Sequence, residues 1–399
     1  MLNKVKQDYA HTIYASYVGY ITQAIINNFA PLLFLTFATD YDLTLDKITM
    51  ITTINFLVQL AVDFICAKVI DKVGYRPAIM TAHACSALGL IGMAILPGLL
   101  GNAYVGLICA VVLYAIGGGI IEVLISPIVE ACPTTKKEAA MSLLHSFYCW
   151  GHVGVVLIST AFFTLFGLEN WKILACIWAI VPLANIFYFA LVPIYSIVEE
   201  HEKMSLRTLL SQKVFWLLIV LMICAGASEQ AMSQWASAFA ESALKVSKTM
   251  GDLAGPCAFA IFMGSARAIY GKYSDRIPLK KMMAGSAVLC IICYLVAALS
   301  ESPLMGLIGC AICGFSVGIF WPGTFSIAAL RLPAGGTAMY ALMALAGDLG
   351  CSSGPTVVGL VANAFSGNLK IGLILALIFP AVMLLGVLII RFKQSQGEN

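Results

Sequence analysis

Residues 46–77 read DKITMITTINFLVQLAVDFICAKVIDKVGYRP. An apolar run of about 25 residues, enough to cross the roughly 30 Å hydrocarbon core of a bilayer as a helix, ends here in a short charged turn around Asp71. The same alternation of long apolar runs with short polar turns continues along the rest of the chain. The pattern predicts a protein whose helices cross a membrane many times.

The composition supports this prediction and excludes several other classes of protein. Of the 399 residues, 61% are hydrophobic and 11% are charged, whereas an average soluble domain carries about 25% charged residues. A net charge of +3 gives no basic surface for the phosphates of a nucleic acid. The 13 cysteines lie almost entirely inside apolar runs, so we interpret them as small helix residues and not as a disulfide framework.

Twelve apolar segments are long enough to span a membrane. We predict them at 12–37, 46–70, 77–99, 103–131, 138–167, 171–194, 213–241, 249–272, 282–300, 303–331, 336–365 and 369–391. Of the 23 Lys and Arg residues, seventeen fall on the side that holds both chain ends, five fall on the opposite side, and Arg267 lies inside a span. Because cytoplasmic connections are enriched in Lys and Arg, both termini are expected in the cytoplasm.

The two halves of the chain repeat each other. Asp275 follows span eight as Asp71 follows span two, 204 positions earlier. Gly118 in span four and Gly318 in span ten each stand fifteen residues before a proline. Parallel repeats of this kind bind cargo near the membrane midplane, between the halves, and work by rocking. The predicted organisation is a first six-helix bundle, a cytoplasmic linker and a second bundle, at 1–194, 195–212 and 213–399.

The connection AKVIDKVGYRP (67–77) and its counterpart YGKYSDRI (270–277) resemble the G-x3-D-[RK]-x-G-[RK] signature of the major facilitator superfamily. The resemblance covers essentially the whole chain. It implies an all-α membrane protein with twelve transmembrane helices in two pseudo-symmetric six-helix bundles. It also implies a functional monomer in which Asp71 and Asp275 act as conformational latches against helix ends of the opposite half.

Spans four and five resemble the fucose permease branch, whose members are sugar:cation symporters. The span-four pattern G-x-G-x2-E-T-x2-N-P aligns with 117–127, and the span-five pattern N-F-A-Q-A-F-N-x2-G aligns with 142–151. The alignment places Glu122 at the acidic position and implies that His145 and Tyr148 contact the substrate. The acid that this branch carries in its first helix has no counterpart here, so sodium coupling, proton coupling through Glu122 and uniport all stay open.

Polar side chains inside apolar spans are the candidate cargo-binding residues, because an ionisable group near the bilayer centre costs about 2.5–3.5 kcal/mol. Glu122 lies eleven residues from Pro133, about 16 Å along a helix and near the midplane. Its carboxyl is either a hydroxyl acceptor or cation carrier, or a protonated acid bonded to a neighbouring helix.

The predicted substrate-binding set combines amides, carboxylates and aromatic rings, the mixture that a carbohydrate site needs. The alternative role of such groups is polar contact between helices. The set consists of Gln23, Asn27, Asn28, Glu122, His145, Tyr148, Glu229, Gln230, Gln234, Trp235 and Trp321.

Three further charged residues inside spans are predicted to carry an ion or to form an ion pair. Asp63 precedes Asp71 by eight residues, a spacing similar to the helix-two pattern of sodium–sugar symporters such as the melibiose carriers, which implies a coupling-ion role beside Glu122. Arg267 needs an acidic partner because an unpaired buried charge is costly, and we predict Asp348 first and Asp63 second. This ion pair is expected to break during rocking.

No cofactor or bound metal is expected, apart from a coupling H⁺ or Na⁺. Cys290-x2-Cys293 and Cys310-x2-Cys313 have the spacing of a zinc site. They lie in apolar spans, however, where four thiolates around Zn²⁺ would leave two net negative charges in hydrocarbon. The sequence has neither a GxxxxGK[ST] phosphate-binding loop nor a nucleophile with a positioned base, so we do not expect an enzyme.

The sequence therefore predicts a secondary active transporter of a monosaccharide or related polyol in the cytoplasmic (inner) membrane, working by alternating access and coupled to H⁺ or Na⁺. One alternative is an exporter of drugs or other lipophilic solutes with the same fold, which would need an apolar, aromatic cavity. The other is a membrane sensor or scaffold, which would be expected to append a soluble signalling domain.

Overall fold

The computed structural model describes residues 8–134, 137–195, 204–273, 277–332 and 335–390. Within its helices, the side chains at 67–69, 71–72, 130, 137–142, 206, 271–273, 329, 336–338 and 340–341 lie outside this description. The described chain is almost entirely helical.

Twelve long helical segments, with bounds within about three residues of those predicted, account for the fold. They are α1 Tyr9–Asp40, α2 Leu45–Val73, α3 Tyr75–Leu99, α4 Ala103–Glu130, α5 Lys137–Phe166, α6 Trp171–Leu191, α7 Lys213–Ser242, α8 Lys248–Tyr270, α9 Leu279–Leu299, α10 Pro303–Ala328, α11 Gly336–Ala364 and α12 Leu369–Ile389. A short helix, Leu206–Ser211, precedes α7.

Eleven of these segments are long and apolar enough to cross a membrane, as judged by length and composition in the described chain. The twelfth, α11, has 29 residues and so extends about 43 Å at 1.5 Å per residue. Its polar side chains Asp348 and Ser352 are buried, because α11 packs between α2 and α7. The lower hydropathy of α11 therefore reflects its protein surroundings, and the predicted fold of twelve spans in two six-helix bundles is confirmed.

Twelve alternating spans put both ends of the described chain on one side of the membrane. We name this face the terminal side. The opposite face, the distal side, carries the connections at 41–44, 100–102, 167–170, 243–247, 300–302 and 365–368.

Several spans are interrupted, and breaks of this kind in membrane helices are tolerated where they line an internal site. In α1 a 3₁₀ turn, Ala30–Leu33, contains Pro31, which has no N–H for the helix ladder. In α8 a π-helical turn, Leu253–Cys257, contains Pro256. The helix of α7 breaks at Trp235, and α10 breaks after Val317. Proline and π-turns are recognised causes of such kinks.

Helices α7 and α11 meet at a distance that only glycine permits. A Cβ atom on Gly226 of α7 would lie 2.2 Å from the carbonyl oxygen of Gly347, and one on Gly350 of α11 would lie 2.1 Å from that of Ile223. Both neighbours are backbone atoms, which do not give way as a flexible side chain does. The contact fixes Glu229 of α7 and Asp348 of α11 relative to each other.

We predict that Gly350→Ala lowers the thermal unfolding temperature of the detergent-purified protein, because overpacking of a close contact costs about 1–3 kcal/mol. The matched control is Gly154→Ala on α5, where an added Cβ meets no atom within 4 Å, so the control is expected to be neutral or slightly stabilising. Equal unfolding temperatures of the two variants would contradict the close packing of α7 against α11.

Candidate functional site

A cavity of about 130 Å³ lies between the two bundles. Side chains from eight spans line it, and most of them are polar or aromatic. They are Tyr20, Gln23, Asn27, Phe56, Glu122, His145, Tyr148, Glu229, Gln230, Arg267, Trp321, Asp348 and Cys351. Eight of the eleven residues predicted to bind substrate are in this set, and so are Arg267 and Asp348.

On the N-terminal side of the cavity, a ladder of amides joins α1, α2 and α4. The Gln23 amide donates to Gln59 Oε1 at 2.9 Å and to Glu122 Oε2 at 3.1 Å. The Gln59 amide donates in turn to Asn27 Oδ1 at 2.9 Å and to Asn55 Oδ1 at 3.0 Å. The ladder holds the Glu122 carboxyl in place and gives it a hydrogen-bond donor.

The sequence analysis did not single out Asn55 and Gln59. The signal was present, since Asn55, Gln59 and Asp63 follow each other at four-residue spacing in an otherwise apolar span and so share one helix face. Both amides are buried, with exposures of 4% and 1%. They orient the α1 residues that line the cavity but do not line it themselves.

On the C-terminal side, Arg267 of α8 forms an ion pair with Glu229 of α7, with Nη2 3.6 Å from Oε2. The Gln230 amide also donates to Glu229 Oε1 at 3.2 Å. The predicted partners of Arg267 were Asp348 and then Asp63, and the structure differs from both. Glu229 takes this place because α7 presents it directly to α8 within the same bundle.

Asp63 of α2 and Asp348 of α11 instead lie close enough to interact with each other across the boundary between the bundles. Asp348 lines the cavity and is 4% exposed. One oxygen of each carboxyl, Asp63 Oδ1 and Asp348 Oδ2, is buried without a hydrogen-bond partner.

Aromatic side chains form the remaining walls of the cavity. The Tyr20 hydroxyl lies 3.1 Å from Ser126 Oγ, and the Tyr20 ring centroid lies 5.4 Å from that of His145. Trp321, next to the break in α10, packs against Gly347 of α11, where a Cβ atom would overlap its ring. These rings supply apolar faces beside the amides and carboxylates.

Three predicted substrate-binding residues lie outside the lining of the cavity. Asn28 donates to the backbone oxygen of Ala24 at 2.9 Å. Gln234 donates to the backbone oxygen of Asn27 at 3.1 Å and so links α7 to α1. Trp235 is 1% exposed and donates to the backbone oxygen of Pro355 at 2.9 Å. In this conformation, all three have structural contacts in place of cavity contacts.

The structure does not describe the side chains of the predicted latch residues, Asp71 and Asp275. The backbone of Asp71 belongs to α2, but its side chain lies outside the described residues, and Asp275 lies outside them entirely. The latch hypothesis stays a prediction.

The chemistry of the cavity is set by its spare hydrogen-bonding capacity and its charge. Gln23 Oε1, Asp348 Oδ2 and Arg267 Nε are buried without partners. A ligand that offers both donors and acceptors would satisfy them, which matters because an unpaired buried polar group costs about 1–3 kcal/mol. The lining carries three carboxyl groups and one guanidinium, so the acids outnumber the permanently charged cations.

A family model described as Major Facilitator Superfamily matches residues 16–355, most of the chain. The protein belongs to the Major Facilitator Superfamily. A comparison with curated proteins found no match.

Solved structures of transporters show the same fold as this superfamily member. A bacterial homologue of the human lysosomal transporter Spinster, inward-facing and unoccupied, gives a TM-score of 0.75 at 14% identity, over 96% of this chain and 97% of that one. The E. coli fucose:proton symporter FucP gives 0.63 at 15% identity, over 96% and 98%. A D-xylose-proton symporter gives 0.71 at 13% identity, over 95% of each chain. At these identities the likeness shows the fold alone.

This superfamily works by rocking one repeat against the other around a central site. Most of the hydrogen bonds that the described residues form between the bundles lie in the distal halves of the spans, so this conformation is closed on the distal side. They join Thr53 to Thr356, Gln234 to Asn27 and to Thr52, Ser352 to Thr53, Thr160 to Asp252, Thr164 to Thr249 and Lys248 to Leu32.

A charged cluster at the start of α8 takes part in this closure. Lys248 Nζ lies 3.0 Å from Asp252 Oδ1 and 3.3 Å from Glu241 Oε1, and it donates to the backbone oxygen of Leu32 on α1 at 2.7 Å. Asp252, fully buried, also accepts a hydrogen bond from Thr160 of α5 at 3.2 Å. The sequence analysis missed this cluster and placed Lys248 in a connection, although the i,i+4 spacing of Lys248 and Asp252 was visible.

We predict that Lys248→Met loosens the distal side, because it leaves the buried Asp252 carboxyl without its cation. The double variant Lys248→Met/Asp252→Asn should recover part of the loss, since the uncompensated charge is gone. Hydrogen-exchange mass spectrometry of peptides covering the distal ends of α1, α5 and α8 checks both. Lys245→Met, at an exposed residue on the same side, is the control. Equal exchange in the single and double variants would contradict the role of the cluster.

Proposed function

We propose that this protein is a secondary active transporter of a monosaccharide or related polyol, working by alternating access with H⁺ or Na⁺ coupling. The observation that carries this proposal is the central cavity, where amides, carboxylates and aromatic faces converge between the bundles. Sugars need that combination, because their hydroxyls both donate and accept while their C–H faces pack on rings. Two of the similar folds belong to proteins named for fucose:proton and D-xylose-proton symport.

The size of the cavity favours a small polar cargo over a drug-sized one. At about 130 Å³ it is smaller than the sites for drug-sized ligands, which measure about 300–1,000 Å³. The amide ladder that links Gln23, Asn27 and Gln59 would also be costly to cover with an apolar ligand.

An apolar groove supports the exporter of lipophilic solutes as the second candidate. It measures about 490 Å³ and lies between α2, α7 and α11, with Leu57, Phe64, Trp216 and Leu349 among its exposed lining residues. It is separate from the polar cavity. A lipophilic cargo would enter through this groove, whereas a sugar would not use it.

The remaining parts of the proposal follow from charge and from the family. The enrichment of Lys and Arg on the terminal side supports a cytoplasmic-membrane protein with both termini in the cytoplasm, so the distal closure would face outward. Residues 1–194 and 213–399 would move as the two rocking bundles. Glu122 and Asp63 are the proposed carriers of the coupling cation, and the proposed functional unit is a monomer.

A thermal-shift screen of the detergent-purified protein tests the cargo class. Monosaccharides, polyols and hydrophobic cations are compared with and without sodium at two pH values, since a ligand at 100 times its Kd stabilises by about 2.7 kcal/mol. A shift with one sugar supports the proposal. Shifts with hydrophobic cations alone would overturn it and favour the exporter.

We predict that Glu122→Gln weakens binding of the stabilising sugar by about tenfold or more, because hydrogen bonds to charged groups contribute about 1.5–3 kcal/mol. Glu301→Gln, at an exposed acid on the distal side, is the matched control and should leave Kd unchanged. Isothermal titration calorimetry measures both. A Glu122→Gln variant that binds as tightly as the parent would remove Glu122 from the site.

A further inference from the structure

Two acids from opposite bundles face each other where α2 and α11 meet. The helices run antiparallel, and Thr53 of α2 is hydrogen-bonded to Thr356 of α11. Ten residues further along α2 is Asp63, and eight residues back along α11 is Asp348, so both carboxyls lie about 12–15 Å toward the terminal side at 1.5 Å per residue. The helix register therefore brings them together, in agreement with the contact between their side chains.

Among the described side chains, no cation forms an ion pair with either acid. The three ion pairs among the described residues are Lys248 with Glu241, Lys248 with Asp252, and Arg267 with Glu229. Asp63 Oδ1 and Asp348 Oδ2 have no hydrogen-bond partner and are buried. Two ionised carboxylates in contact within an apolar interior would repel strongly, so something positive must sit between them.

A proton fits this place better than a metal ion does. A hydrogen bond between two carboxyl groups needs one proton, and a single proton shared by two acids is a known arrangement. Sodium, as a hard cation, needs several oxygen ligands. Within the described chain, no group of three His, Cys, Asp or Glu side chains is arranged to hold a metal.

We propose that Asp63 and Asp348 bind one proton between them and that this proton holds α2 against α11 in the distal-closed conformation. Loss of the proton leaves two negative charges in contact and favours separation of the helices. The proposal rests on alternating access from the proposed function, but it does not depend on which solute is carried.

The location explains how a proton and a cargo would be coupled. Asp348 lines the cargo cavity, whereas Asp63 belongs to the other bundle, so a ligand that contacts Asp348 also acts on the pair. Coupling of this kind is reciprocal, because a cargo that favours the protonated pair must itself bind more tightly when the pair is protonated. A proton taken up from the distal side and released to the terminal side would then accompany inward movement.

Other titratable groups surround the pair and must be separated from it experimentally. Glu122 of α4 acts electrostatically on both acids, Cys66 lies one turn along α2, and Cys351 lies one turn along α11. The Arg267–Glu229 ion pair faces the same cavity. Side chains at 67–69 and 71–72 of α2 lie outside the described residues.

The test compares the parent protein with Asp348→Asn and Asp63→Asn by hydrogen-exchange mass spectrometry. In either variant an asparagine amide donates to the remaining carboxyl and takes the place of the shared proton. At alkaline pD the parent should exchange faster than both variants in peptides covering α2 and α11. At acidic pD the three proteins should match. Comparison at one pD removes the intrinsic pD dependence of exchange.

Controls make the outcome decisive. Glu301→Gln should behave as the parent does at every pD, and thermal unfolding establishes that each variant is folded. A merely structural hydrogen bond would give variants that differ from the parent equally at acidic and alkaline pD, which would overturn the proposal. Protection of α2 and α11 by sodium at constant alkaline pD would overturn it in favour of a metal ion.

A transport assay separates this proposal from the choice of cargo. In proteoliposomes loaded with the solute found by thermal shift, Asp63→Asn should keep solute exchange, because Asp63 does not line the cavity. Both Asp63→Asn and Asp348→Asn should lose uptake driven by a pH gradient. Exchange needs no net proton movement, whereas driven uptake does. If no sugar binds, the hydrogen-exchange experiment still tests the shared proton, because it needs no solute. Gradient-driven uptake that survives in both variants would exclude the pair as the coupling site.

Discussion

The structure depends on one constraint, the cost of placing ionisable side chains inside a membrane. Four acids and one guanidinium gather near the centre of this protein, and each is placed where another group offsets its charge or its lost hydration. Glu122 is held by an amide, Glu229 by an arginine, and Asp63 and Asp348 by each other. The breaks in the helices and the glycine contacts are the means by which the backbone brings these groups together.

The two bundles contribute differently to this centre. The N-terminal bundle offers mainly amides, in a ladder that is already hydrogen-bonded. The C-terminal bundle offers an internal ion pair and the carboxyl of Asp348, which interacts with Asp63 of the other bundle. Contacts within each bundle stay intact when the bundles rock, because they join helices that move together. The contacts that cross the boundary, chiefly on the distal side, are the ones that a transport cycle must break and remake.

The twelve spans could be predicted from the sequence, because hydropathy and turn residues act locally and the thickness of the bilayer fixes the length of a spanning helix. Much of the cavity lining could also be predicted from the sequence, because polar side chains in apolar spans are costly to expose to lipid and therefore face the protein interior. The sequence did not, however, predict which charged side chains pair with each other. Arg267 was matched with Asp348 on the chain pattern alone, and the actual partner, Glu229, depends on how α7 and α8 pack. Trp235 and Gln234 illustrate the same point, because the bend in α7 directs them to backbone oxygens.

The backbone contact between α7 and α11 has a consequence for how this protein could change over time. Gly350 stands two positions from Asp348, and the helix there has no room to shift without moving its neighbour. A substitution that touches no solute could therefore retune selectivity by displacing an acid in the cavity wall. Sites of altered preference in natural variants would then include the glycines of the α7–α11 contact, none of which lines the cavity.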